Sequence, residues 1–115
     1  MIVKLNAIVV PSDQNPLPSV GAAATLWDAD SLVDDLLCSS EVGEGGRIEF
    51  IFDLTEGESA DSPVELYPDL YLKVVEANGT LSFHSEVLRN TDFLKIDPVS
   101  RDRVSTLTLA FKDRR

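Results

Sequence analysis

Apolar and polar residues alternate with period two along most of this chain, and that alternation sets the first expectation. From Ile2 to Val10, Val3, Leu5, Ala7 and Val9 fall on one side and Lys4 and Asn6 on the other, the pattern of a strand with one buried face. Arg47 to Leu54 repeats it with Ile48, Phe50, Phe52 and Leu54 against Glu49, Ile51 and Asp53. Val104 to Lys112 does so again, with Leu107, Leu109 and Phe111 inward. Val20 to Asp28 reads as a further strand whose alanines, Ala22, Ala23 and Ala24, allow a neighbouring layer to come close.

Breakers divide these runs. Pro11 to Pro18 is a proline-rich loop, Gly45-Gly46 turns the chain into Arg47, and Thr55 to Pro63 is an acidic loop rich in Gly and Ser. Leu70 to Ala77 and Thr80 to Ser85 flank Asn78-Gly79, a pair that favours a type I′ hairpin turn, so the two segments should pair antiparallel. Asp30 to Glu44 reads as a polar connection holding the single apolar pair Leu36-Leu37, and Val33 to Leu37 could form at most one helical turn. Val87 to Asp97 is irregular, with a short extended piece at Phe93 to Ile96. The sum is an all-β fold: an antiparallel two-sheet sandwich of about seven strands, one domain over residues 1–115. Its 43% apolar residues supply one core and no more.

Charge narrows the partners. Twenty acidic residues against ten basic ones give a net charge of −10. That field repels phosphate backbones and argues against nucleic acid as a partner. It equally opposes direct binding to anionic lipid unless a cation bridges the two. Between Asp13 and Asp69 the one basic residue is Arg47. Such acidic loops either steer a basic partner or a cation, or keep a β-protein soluble and its edges unpaired. Cys38 is alone and can form neither an intrachain disulfide nor a cysteine cluster for zinc. Met1 to Asn6 lacks the pattern of a signal peptide, and no apolar run is long enough to span a membrane, which together predict a cytoplasmic protein.

At Ala24-Thr25-Leu26-Trp27-Asp28-Ala29-Asp30, followed by Asp34-Asp35-Leu36-Leu37, Gly46, Arg47 to Phe52 and Pro68 to Val74, the chain resembles the transthyretin-like family of small β-sandwich domains. The resemblance covers roughly residues 18–75 and implies a prealbumin-like fold rather than an activity. The purine-pathway hydrolases of related fold end in Tyr-Arg-Gly-Ser, where this chain has Lys112-Asp113-Arg114-Arg115. Ring-cleaving dioxygenases of related fold need two His on iron, and His84 is the one histidine here. The stretch Asp28-Ala29-Asp30 followed by Asp35-Leu36-Leu37 is also similar to the third calcium loop of synaptotagmin-type membrane-binding domains.

Asp28, Asp30, Asp34 and Asp35 are therefore the candidate metal ligands, and calcium the one candidate cofactor, because Ca²⁺ collects several carboxylates from one loop. The competing role for the same residues is structural, with Asx hydrogen bonds capping turns. His84 could serve a nucleophile such as Ser82, although no Gly-x-Ser-x-Gly elbow accompanies it. Trp27 reads as packing rather than as a ligand platform. No phosphate loop, dinucleotide fingerprint or metal-spaced histidine pair is present. The expected function is a non-enzymatic binding or accessory module whose acidic loops, Asp28 to Glu44 and Thr55 to Asp69, contact a basic protein partner or a cation. Calcium-dependent membrane binding and a His84 hydrolase are the alternatives.

Overall fold

The computed structural model describes residues 2–13, 16–29, 32–53, 69–89 and 104–114. Within them the chain forms strands β1 (Ile2–Val10), β2 (Ala23–Asp28), β3 (Asp35–Glu41), β4 (Arg47–Asp53), β5 (Leu70–Val75), β6 (Leu81–His84) and β7 (Val104–Lys112), with a 3₁₀ turn at Glu44–Gly46. They build an all-β sandwich. One sheet has the order β4-β1-β7 and the other β3-β2-β5-β6.

The alternating residues of the sequence become the core. Val3, Leu5, Ala7 and Val9 from β1 meet Ile48, Phe50 and Phe52 from β4 and Phe111 from β7, and all are buried. Ala24, Leu26, Leu70, Leu72, Val74 and Phe83 close over them from the second sheet. Leu107 and Leu109 are half-buried and pack against this cluster. Each large side chain moved out of water here contributes about 1.5–3 kcal/mol.

Four details of the expected fold are corrected. The sandwich is not antiparallel throughout, because β1 and β7 run parallel, with Leu5 opposite Leu107. A parallel pair needs a long crossover connection, and the chain between Val10 and Val104 provides it. The presumed polar connection at Leu36-Leu37 is an edge strand, β3, paired to β2. Its alternation is weak because Asp35, Leu36, Ser39 and Glu41 are all exposed, as an edge permits. The expectation of at most one short helical turn stands: among the described residues Val33 to Leu37 form none, and the one turn of 3₁₀ helix follows β3.

Strand β2 begins at Ala23, since Ala22 N–H bonds back to the Ser19 carbonyl and the chain is still turning there. The hairpin closes one residue earlier than a two-residue turn would: Gly79 N–H bonds to the Glu76 carbonyl and Glu76 N–H to that of Thr80. The result is a three-residue loop with Gly79 at φ +86°, the position where a left-handed residue is required. The antiparallel pairing of β5 with β6 is as expected. Leu54, the loop Thr55 to Pro63 and the extended piece at Phe93 to Ile96 lie outside the described residues.

Both open sides of the sandwich are stitched. On one, Ser40 Oγ donates to the Glu49 carbonyl at 2.7 Å and Cys38 Sγ to that of Ile51 at 3.3 Å, joining β3 to β4 through side chains. On the other, Glu86 N–H bonds to the Lys112 carbonyl and Arg114 N–H to that of His84. The C-terminal residues thereby continue the second sheet beyond β6.

Candidate functional site

Two regions concentrate the polar chemistry. The first is the end of the molecule where β2 finishes and β3 begins. Asp28 and Asp35 are direct cross-strand partners, and like charges placed so repel. Asp28 answers this by accepting a hydrogen bond from Asp69 N–H at 3.2 Å, while Ala29 N–H bonds to the Asp69 carbonyl. Asp34 accepts from the Tyr71 hydroxyl. Asp69 in turn pairs with Arg89 at 3.2 Å, an exposed contact of about 0–1 kcal/mol.

Asp28, Asp34 and Asp35 thus come to one end and are joined by Asp69. Asp30 lies outside the described residues. Among the described residues no three acidic, histidine or cysteine side chains group as metal ligands. Asp28 instead fastens the end of β2 to the start of β5, and Asp34 reaches across β2 to Tyr71 on β5. Between them the chain exposes apolar surface: Leu32 is 93% and Val33 72% exposed, and Leu36 at the start of β3 is half-exposed.

The second region is the outer face of the four-stranded sheet. Trp27, Tyr71 and His84 form a row across β2, β5 and β6, with centroid separations of 6.2 and 5.1 Å and nearly parallel rings. Trp27 Nε1–H is tied to Thr25 Oγ1 at 2.8 Å, and Lys73 Nζ lies 4.8 Å from the Trp27 ring centre, a cation–π contact of about 0.5–1 kcal/mol. Trp27 is therefore packing, on the outside of the sheet rather than in the core. Tyr71, enclosed by the two rings, is held protonated well beyond the usual phenol range, first by burial and then by its bond to the Asp34 carboxylate.

His84 sits where this row meets the C-terminal residues. Its Nδ1 is 2.9 Å from the Ser85 carbonyl. A carbonyl only accepts, so Nδ1 carries the proton and Nε2 is the acceptor of the neutral ring. Burial lowers the His84 pKa below its ordinary 6.5; the Ser85 carbonyl opposes that, and the charges of Arg114 and Lys73 add to it. Ser82 and His84 line one cleft, yet the Ser82 hydroxyl donates to the Val74 carbonyl and not to the imidazole. The pair lacks the hydrogen bond of a nucleophile and its base.

Tyr71, Lys73 and Arg114 are the site residues that sequence reasoning missed. Period-two alternation in Leu70 to Val75 puts Tyr71 and Lys73 on the outward face, and that signal was available. Their proximity to Trp27 and His84 depends on cross-strand register and was not.

No family model matches the chain, and no curated protein matches it. Among solved structures, a 9R-lipoxygenase from Cyanothece PCC8801 is similar to it, with 19% identity and a TM-score of 0.51. The likeness covers 95% of this chain and 16% of the lipoxygenase, so the chain spans about a sixth of that protein. At this identity the likeness concerns the fold alone. It nonetheless corrects the expectation that the chain is not an enzyme: the fold it shares forms part of an enzyme's chain, so an acidic sandwich without catalytic motifs is no ground for setting enzymes aside.

Proposed function

We propose that this chain is a recognition module that docks a protein partner through the β2–β3 end of the sandwich. The observation that carries the reading is the exposure of Leu32 and Val33 beside Asp34 and Asp35, on an end that also gathers Asp28 and Asp69. Two branched aliphatic side chains held in water gain about 1.5–3 kcal/mol each when a partner covers them. The acidic collar selects a partner whose apolar pocket is rimmed by Lys or Arg, and it speeds encounter at low salt. Loops on a rigid sandwich are a frequent home of recognition surfaces. The occurrence of a similar fold as a sixth of a lipoxygenase chain supports a module that works beside a larger body. The prealbumin-like kinship belongs to the same proposal, as does a reducing, cytoplasmic setting, which the free Cys38 thiol supports. Among the described residues no helix is long and apolar enough to cross a membrane.

The same exposed pair next to carboxylates also favours a second reading, calcium-bridged insertion of Leu32 and Val33 into a membrane. One experiment separates them. A photo-crosslinker at position 32 should capture a partner whose yield falls with added salt, with Asp34→Asn/Asp35→Asn, and with Val33→Ser. Vesicles of neutral and anionic lipid, with and without calcium, form the parallel arm. Crosslinking indifferent to those substitutions and to salt removes the protein-docking reading. Calcium-dependent flotation lost in Val33→Ser replaces it with the second.

A further inference from the structure

Tyr71 connects the side of the second sheet closed by the C-terminal residues to the β2–β3 end. Its ring stacks on that of His84, with centroids 5.1 Å apart and planes 6° from parallel. Its hydroxyl donates across β2 to the Asp34 carboxylate, next to the exposed Leu32 and Val33. Trp27 stacks against it from the other side, and Tyr71 is only 4% exposed. The phenol is thus held between His84 and Asp34.

His84 is fixed as firmly. Its Nδ1–H is bound to the Ser85 carbonyl, so a second proton enters at Nε2 with no turn of the ring. The ring is half-buried and lines an open cleft beside the C-terminal residues, which gives water access to it. Among the described residues, the charged and titratable groups around it come from each neighbouring element. Lys73 and Tyr71 lie on β5, Arg114 and Asp113 in the C-terminal residues, and Glu76 just after β5 on the same cleft. Burial, Arg114 and Lys73 oppose the proton, which is taken up below the ordinary 6.5. The carboxylates of Glu76 and Asp113 favour it.

We propose that His84, Tyr71 and Asp34 form a relay through which protonation of His84 sets how tightly Asp34 is held at the β2–β3 end. An imidazolium lying flat against the phenol is attracted by the ring face, as other cations are, and draws electron density away from the hydroxyl. The hydroxyl becomes a stronger donor, and its charge-assisted bond to Asp34 strengthens in turn. Asp34 is held more firmly in acid and more loosely above neutrality. The effect is reciprocal, since the Asp34 carboxylate favours the His84 proton by the same factor. As regulation, this rests on the docking reading: a basic partner competes with Tyr71 for Asp34, so acidification loosens docking. The relay itself is a property of the free chain.

The test is an NMR pH titration of the whole free chain from about pH 8 to about pH 5, following the His84 ring and the Asp34 carboxyl carbon. The Asp34 signal should inflect at the His84 midpoint, and His84→Gln should abolish that inflection. By reciprocity, Asp34→Asn should lower the His84 midpoint. Tyr71→Phe keeps the stacked ring and removes only the hydroxyl, and Asp34 is exposed enough to take water in its place. In the Tyr71→Phe background the effect of Asp34→Asn on His84 should fall to about half or less, which a double-mutant cycle reads directly. An Asp34 signal that ignores the His84 titration overturns the relay. So does an effect of Asp34→Asn that Tyr71→Phe leaves undiminished, the mark of charge acting through space alone. No partner enters these measurements, so failure of the relay and failure of crosslinking at position 32 are told apart.

Discussion

Ser85→Ala removes a single oxygen from the side chain that stands in for a piece of backbone. In a regular antiparallel pair, Leu72 and Ser85 would exchange two main-chain hydrogen bonds. Only one forms, from Ser85 N–H to the Leu72 carbonyl at 2.8 Å. The Ser85 carbonyl is taken by the His84 ring. Leu72 N–H is met instead by Ser85 Oγ at 2.8 Å, and that hydroxyl donates onward to the Glu86 carbonyl at 2.8 Å. Ser85 is 1% and Leu72 0% exposed, so water cannot readily replace the hydroxyl. Leaving a buried N–H without a partner costs about 1–3 kcal/mol; the Glu86 carbonyl belongs to an exposed residue and adds little. The expected loss is about 2 kcal/mol, a sizeable share of the roughly 5–15 kcal/mol that holds a domain together. Urea unfolding should show the midpoint falling by roughly 1 M at unchanged slope, and the Leu72 amide should lose exchange protection first. Ser82→Ala is the control: its hydroxyl makes a long 3.4 Å bond to Val74 and should cost less than about 0.5 kcal/mol. A Ser85→Ala protein as stable as the Ser82→Ala protein, with Leu72 still protected, would refute the substitution of hydroxyl for carbonyl.

Two further outcomes are expected. Gly46→Ala combines a positive φ of +74° with a new Cβ only 2.8 Å from Leu17 Cδ2 and 3.3 Å from Val9 Cβ, whereas Gly45→Ala at φ +69° meets open space. Calorimetry should therefore show about 1–2 kcal/mol lost for Gly45→Ala from backbone strain alone and about 1 kcal/mol more for Gly46→Ala from crowding. As for pH, the depressed His84 pKa means that the unfolded chain binds the proton more readily. Stability from this residue is full above its ordinary 6.5 and declines as pH falls through 6.5 toward the folded value. Denaturant curves from about pH 7 down to about pH 5.5 should carry that slope in the parent protein and lose it in His84→Gln.

The sequence alone determined the strands whose two faces differ. In β1 and β4 every second residue is apolar, burial of that face is the dominant gain on folding, and a shift of one residue would expose all of it. Val3 to Val9 and Ile48 to Phe52 could hardly have gone elsewhere. The two-layer form followed from the same pattern. Edge strand β3 was not legible, because its stability comes from backbone bonds to β2 and from the Ser40 and Cys38 bonds to β4, neither of which needs an apolar face. The parallel pairing of β1 with β7 was equally hidden: hydrophobic alternation is identical for either direction, and only the path of the chain through space chooses between them. Of the aspartates, the sequence showed that they crowd one loop, and the folded chain gave Asp28 and Asp34 to Asp69 and Tyr71. The stacking of Trp27 on Tyr71 and of Tyr71 on His84 was beyond any one-dimensional reading, since 57 positions separate the first ring from the last and they meet only because β2, β5 and β6 share one sheet. Local periodicity decides which face is buried; register and strand order decide which side chains become neighbours.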